Sequence, residues 1–120
     1  MKHWIITLFG CLCAIWFSSL KAQTAEGYAC IYSKQLCGNR TANGERLNCD
    51  ALTAAHRHYK FGTKIRVTNL ENKNSVIVRI TDRGPFTRRF IIDLSPAAAK
   101  AIGLSYGKGK VRVHLEPITE

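Results

Sequence analysis

Four short runs of strongly β-forming residues, each cut off by a turn signal, limit what this chain can fold into. Lys64-Ile65-Arg66-Val67-Thr68-Asn69 alternates polar and apolar residues with period two, as does Lys110-Val111-Arg112-Val113-His114-Leu115. That period sends successive side chains to opposite faces of a strand, one for a core and one for solvent. Residues 75–81 read Ser-Val-Ile-Val-Arg-Ile-Thr, and residues 90–94 read Phe-Ile-Ile-Asp-Leu. Residues 28–32 read as a first strand after a short polar leader, and Glu71-Asn72-Lys73-Asn74 as a polar hairpin turn. Residues 38–44 form a loop, with Asn43-Gly44 as its turn pair. One helix is signalled: Ser95 caps it, Pro96 opens it, Ala97-Ala98-Ala99-Lys100-Ala101 propagates it and Gly103 ends it. Residues 50–58 are compatible with a helix, but Lys60-Phe61-Gly62-Thr63 forces a turn after them. Many short strands with one short helix predict a mainly β fold, a closed barrel or a small sandwich.

The N-terminal segment indicates the compartment. Met1-Lys2-His3 is basic, residues 4–17 are apolar apart from Thr7 and Gly10, and Ser18-Ser19-Leu20-Lys21-Ala22 turns polar and small. This is the layout of a secretory signal peptide, with cleavage after Ala22. Leu8-Phe9-Gly10-Cys11 imitates a lipidation signal, but it comes early and the apolar run continues past it, so no lipid anchor is expected. The expected organisation is a signal peptide over 1–22, a leader over 23–26, one folded domain over 27–117 and a tail over 118–120. The protein is then exported, to the periplasm or cell envelope, with no stable membrane insertion.

Export changes the meaning of the charge. The chain has 18 Lys+Arg against 8 Asp+Glu, a net charge of +10. Loss of residues 1–22 removes Lys2 and Lys21 and no acid, leaving 16 basic against 8 acidic side chains, or +8. A charge of that size points to an anionic partner. Outside the cytoplasm that partner is a glycan or lipid surface rather than nucleic acid. Cys11 and Cys13 leave with the signal, while Cys30, Cys37 and Cys49 remain in an oxidising compartment. Three cysteines allow one disulfide and one leftover thiol, with the pairing open. His56 and His58 lie near them, but the spacings match no standard zinc pattern, so neither metal nor cofactor is expected. A monomer is expected.

Few residues are placed to do chemistry. Asp82 follows a strand and precedes Arg83-Gly84-Pro85-Phe86, a common setting for a functional side chain. Pairing of Asp82 with Arg83 or Arg88, or capping of the turn, is the structural alternative, and the pattern alone favours it. Asp93 interrupts an apolar run, sharing a face with Ile91 while Phe90, Ile92 and Leu94 share the other. Partial desolvation there raises a carboxyl pKa, as a general acid needs; capping of the following helix is the structural alternative. His56 is a candidate proton carrier or a structural histidine, and Glu45 follows the Asn43-Gly44 turn as a site residue or a solvated loop charge.

At these residues the chain resembles a known family. Thr41-Ala42-Asn43-Gly44-Glu45-Arg46, Leu52-Thr53-Ala54-Ala55-His56-Arg57, Phe61-Gly62-Thr63, Val67-Thr68-Asn69, Asp82-Arg83-Gly84-Pro85-Phe86 and Ile92-Asp93-Leu94-Ser95 are similar, in order and spacing, to the rare lipoprotein A family. The resemblance implies a six-stranded double-psi β-barrel with one or two short helices. It also implies an endolytic lytic transglycosylase that cleaves peptidoglycan glycan strands, preferably without stem peptides, and leaves anhydro-muramyl ends. Such chemistry replaces water by an internal sugar hydroxyl, so one carboxyl can serve as acid and then as base, where ordinary glycosidases use two. Glu45 and His56 match the family's functional pair, Asp82 matches its motif acid, and Asp93 matches the position of the catalytic aspartate in the distantly similar expansins and related barrel glycosidases; the proton donor stays open between Asp82 and Asp93. Thr41, Asn43, Arg83 and Tyr32 are the candidate substrate contacts. Asn48 stands where the family often has aspartate, and Tyr59-Lys60 replaces a usual Leu-Pro. The competing expectation is an expansin-like protein that binds or loosens the wall without breaking bonds, since one barrel supports both.

Overall fold

The computed structural model describes residues 24–119, so the expected signal peptide lies outside the described residues. Six strands are present: β1 (Ala25–Ile31), β2 (Thr53–Ala55), β3 (Lys64–Asn69), β4 (Ser75–Asp82), β5 (Phe90–Leu94) and β6 (Val111–Pro117). One helix, α1 (Pro96–Ala101), follows β5, and a single 3₁₀ turn spans Lys34–Leu36. The strands close a barrel in the order β1-β5-β2-β4-β3-β6. Two pairs, β1 with β5 and β2 with β4, are parallel; the other four contacts around the ring are antiparallel. Together these features make the expected double-psi β-barrel, and closure leaves no free sheet edge.

The alternation read from the sequence describes the observed strands. Ile65 and Val67 of β3, Val78 and Ile80 of β4, and Val113 and Leu115 of β6 are buried to 1% exposure or less, while their neighbours Lys64, Arg66, Ile77 and Arg112 are exposed. In β5, Ile92 and Leu94 are fully buried in the barrel core, and Asp93 faces the other way. Ala98, Ala99, Ile102 and Leu104, in α1 and the turn after it, pack onto the same core.

Two elements differ from the expectation. β1 begins at Ala25, three residues before the expected first strand, so residues 25 and 26, read above as leader, belong to the barrel. Ala25, Glu26 and Gly27 pair with Leu115, His114 and Val113 of β6. A backbone ladder needs no apolar side chain, so the polar composition concealed it. Gly27 is required for packing: a Cβ there would lie 2.8 Å from Ile91 Cγ2. Within residues 50–58 only Thr53–Ala55 is regular, and it is a strand. At the other end the expected tail begins under a tie, with Ile118 N donating to Lys64 O at 2.8 Å.

The open cysteine pairing resolves as Cys37–Cys49, with Cys30 left as the free thiol. The helix forms as expected, and its cap has a second function. Ser95 is fully buried; its Oγ accepts from Ala98 N at 3.2 Å and Thr53 N at 3.4 Å and donates to Ala51 O at 2.6 Å. One hydroxyl therefore caps α1 and fastens it to β2. Ser95→Ala should lower stability by about 1–3 kcal/mol, from the lost cap and the buried amides left unpaired. Urea unfolding should show a lower midpoint at unchanged slope.

Candidate functional site

The site lies on the outer face of the barrel, over β2. Ala54 points into the core, whereas Ala55 points out into a second small cluster with Tyr32 and Leu47, against which Cys49 packs. Ala55 pairs with Asp82 of β4 on one side and with Asp93 of β5 on the other. Cys30 of β1 is in turn the register partner of Asp93. Directly paired residues in neighbouring strands share a face, so Asp82, Ala55, Asp93 and Cys30 form one row across four strands. Ala55, the residue between the two carboxylates, contributes only a methyl group to the row, and that methyl is buried against Tyr32 and Leu47.

The two carboxylates have opposite environments. Asp82 Oδ2 accepts from the buried Tyr32 hydroxyl at 2.6 Å, and its Oδ1 accepts from the backbone amides of Ala42 at 2.8 Å and Arg83 at 2.9 Å. Three donors converge on it, the surroundings of an acceptor-only group. Burial, with the bond to Asp82, pushes the Tyr32 phenol well above its ordinary value, so it remains a donor. Asp93 receives no such set: its Oδ1 is buried with no hydrogen-bond partner. Burial is the main cause that raises the Asp93 carboxyl to about 6; the neighbouring Cys30 thiol opposes the rise and the charge of Asp82 adds to it. The Cys30 thiol is itself pushed up to about 12 by burial and by Asp93, and it donates to Ile92 O at 3.7 Å.

A loop folds over this row. Residues 38–47 double back on themselves through Gly38 N to Leu47 O, Leu47 N to Asn39 O and Thr41 N to Glu45 O, at 2.7–2.8 Å. The turn needs Gly44, whose φ is +91°. Thr41 Oγ1 lies 2.6 Å from Asn43 Oδ1 and 3.1 Å from Glu45 O, bracing the turn. Asn43 N reaches Thr81 O at 3.1 Å, and the Asn43 side-chain amide donates to Glu45 Oε2. Glu45 is not a free loop charge. Arg79, on the outer face of β4, grips both its oxygens at 2.6 and 2.9 Å. That fork and Asn43 hold the carboxyl down at about 2, although it is solvent-exposed.

His56 continues from the end of β2, its amide donating to Asp82 O at 3.1 Å. Its Nδ1 accepts from the amides of His58 and Tyr59 at 3.0 and 3.1 Å, and its ring stacks on Tyr59 with centroids 3.9 Å apart. Burial first, then the neighbouring His58, Arg57 and Arg83, lower it to about 4, so it is a neutral imidazole near pH 7. Arg83 braces this segment: its Nη1 donates to His56 O and Tyr59 O, and its guanidinium lies 3.9 Å over the Phe61 ring.

The structure thus gathers Asp82, Asp93 and Tyr32 around Ala55, joins His56 to them through its backbone amide on Asp82 O while its ring turns to Tyr59, and places Glu45, Asn43 and Thr41 on the covering loop. Tyr32 and Arg83 reach the site through Asp82 and through the backbone at His56. Arg79, Ala55 and Cys30 were not singled out in the sequence. Alternation in residues 75–81 already puts Arg79 on the outer face, and that was the available signal for it.

Folded Asp93 titrates near 6 against an ordinary value of 3.8, so the folded state binds this proton more tightly than the unfolded chain. Its contribution to stability is full below about pH 3.8 and is lost as pH rises through about 6. Asp93→Asn removes the loss. The stability gap between Asp93→Asn and wild type should widen by about 2 kcal/mol between pH 4 and pH 7. Urea unfolding at the two pH values measures it; parallel curves would show that Asp93 is not desolvated.

The profile of the lytic transglycolase family matches residues 24–115. The probable endolytic peptidoglycan transglycosylase RlpA of Synechocystis sp. is 57% identical over 90 residues, covering 74% of this chain and 28% of that protein. The endolytic peptidoglycan transglycosylase RlpA of Pasteurella multocida is 50% identical over 91 residues, covering 75% of this chain and 31% of that protein. The chain therefore spans less than a third of the length of either relative. An expansin of Clavibacter michiganensis superimposes with a TM-score of 0.64 at 24% identity, covering 82% of this chain and 52% of that one, a likeness of fold.

Proposed function

Because this chain belongs to the lytic transglycolase family, we propose that it is an endolytic peptidoglycan lytic transglycosylase, cutting between N-acetylmuramic acid and N-acetylglucosamine without water. The observation that carries this reading is the desolvated Asp93 carboxyl, raised to about 6, in one row with the hydrogen-bonded Asp82. A carboxyl whose burial raises its pKa suits a general acid near neutral pH.

In this mechanism the Asp93 proton goes to the glycosidic oxygen as the bond to the anomeric carbon breaks. The muramyl residue's own primary hydroxyl then attacks that carbon. Its proton passes to the Asp93 carboxylate, which restores the acid. The products are an anhydro-muramyl end and a new N-acetylglucosamine hydroxyl, and no proton or water is consumed. Asp82, fixed by Tyr32 and two backbone amides, faces the positive charge that develops on the sugar. Neutral His56, whose Nδ1 already accepts from two backbone amides, has its Nε2–H to donate to the substrate. Glu45, locked by Arg79, orients sugar hydroxyls with Asn43 and Thr41. Removal of a signal peptide over residues 1–22 would deliver the barrel to the cell envelope, where this polymer lies.

Digestion of purified peptide-free glycan strands should yield anhydro-muramyl products detectable by mass spectrometry. Asp93→Asn should lower kcat by about 10²-fold or more. The acid must start protonated, so kcat/KM should fall about tenfold per pH unit above about 6 in wild type. Retained glycan binding with no anhydro product would replace this reading by that of a binder without cleavage.

A further inference from the structure

A groove of about 660 Å³ opens beside His56, outside the row of carboxylates. Ile91 and Ala25 supply apolar lining, and Arg57, His58 and Lys60 supply cationic or donor groups; among the described residues its lining holds no Asp or Glu. Ile91 lies on the same face of β5 as Asp93 and two residues away, a separation of about 7 Å along the strand. The groove is therefore the next seat along the barrel from the reacting carboxyl, and His56, which follows Ala55 in the chain, stands in its lining.

The groove's charge is organised. Arg57 Nη1 donates to Pro85 O and, at 2.9 Å, to Phe90 O, which fixes the guanidinium between the groove and the loop after β4. Elsewhere on the surface, Arg66 is paired with Glu116, Arg79 with Glu45 and Lys108 with Glu71. Lys60 is exposed and has no ion-pair partner among the described residues. The same field reaches His56, where His58, Arg57 and Arg83 add to burial in keeping the ring neutral. A concave cationic surface with apolar lining suits a sugar ring that carries a carboxylate.

We propose that the groove lined by Ile91, Arg57, His58 and Lys60 is a subsite for a carboxylate-bearing sugar adjacent to the bond being cut. Its place beside the reacting centre rests on the glycan-cleavage reading. Two sources offer this chemistry on the same strand: the lactyl carboxylate of a muramyl residue whose peptide has been removed, and the carboxylates of an intact stem peptide. Lys60 and His58 are the determinants that engage it, while Arg57 also secures the neighbouring loop.

Calorimetric titration tests the subsite in an Asp93→Asn background, where turnover does not distort binding. Three oligosaccharides of equal length are used: a neutral N-acetylglucosamine oligomer, a muramyl glycan without peptides, and the same glycan with stem peptides. Lys60→Gln should weaken the peptide-free muramyl glycan by about three- to fivefold, the range of one exposed ion pair. Lys60→Gln with His58→Gln should weaken it further, and both should leave the neutral oligomer unchanged. High salt should erase the difference. A Lys60 effect confined to the peptide-free glycan assigns the carboxylate to the lactyl group; one confined to the peptide-bearing strand assigns it to the peptide. Equal weakening of the neutral oligomer, or no effect on either acidic glycan, overturns the subsite. Wild-type digestion is read separately: absent anhydro products with the Lys60 effect retained would remove the enzyme reading and keep the subsite.

Discussion

The barrel closes through a strand of three residues, and the candidate site depends on how that strand is paired. β2 runs parallel to β4 and antiparallel to β5. Its register with β4 slips by one between Ala54 and Ala55, so Thr53 and Ala54 face Arg79 and Ile80 but Ala55 faces Asp82. In an unbroken register Ala55 would face Thr81, and a one-residue shift exchanges the faces of a strand. The irregularity thus sets Asp82 in the row of Ala55 and Asp93, an instance of a bulge re-aiming a side chain. A second irregularity between Tyr28 and Ala29 sets Ala29 against Ile92, both fully buried, and Cys30 against Asp93. Closure of the core and placement of the carboxyls are one geometric solution.

That placement separates the chemistry of the two acids by the supply of donors. Asp82 sits where the chain leaves β4, within reach of the amides of Ala42 and Arg83. Asp93 sits inside β5, where the backbone amides belong to the ladder, and its neighbour in the row is a methyl group. A carboxyl without donors and largely out of water favours its neutral form. A buried thiol as its partner on β1 supplies only a weak donor. Substitution of a stronger donor at Cys30 or Ala55 would stabilise the ionised form, so the poor solvation of Asp93 depends on those small, weakly polar neighbours.

The core of this fold was legible because it rests on local periodicity. Alternation in β3, β4 and β6 and the Ser95-Pro96 helix start are properties of consecutive residues, and the face assignment of Asp93 followed from the same rule. The resemblance carried the topology, since strand order across a closed ring is non-local and no window of sequence contains it. The disulfide pairing, the register shifts and the Arg79–Glu45 fork were not readable for the same reason. Residues 25–27 were missed on different grounds: backbone pairing leaves no mark on side-chain pattern, and Gly27 is present to admit Ile91 rather than to make a turn. Glu45 illustrates the limit for site residues. The sequence placed it after a turn, but the partner that holds its charge lies 34 positions away.

The loop over the site also explains why a disulfide belongs in this barrel. Residues 38–47 contain little apolar surface, and Leu47 alone among them is a buried hydrophobic side chain. Such a loop loses conformational entropy on ordering with little burial to offset it. The Cys37–Cys49 bond closes the loop at its base with a separation of 12 residues, which removes part of that entropy from the unfolded chain. The outer end is held by Ala42 N on Asp82 and by Asn43 N on Thr81 O. Those tips are the donors that complete the Asp82 carboxylate and the turn that presents Glu45. A loop left free at its base would deliver them only part of the time, and Asp82 would then solvate itself with water and lose its fixed orientation. The crosslink supplies no polar group to the site, yet by ordering the loop it preorganises the Ala42 amide that holds one oxygen of Asp82.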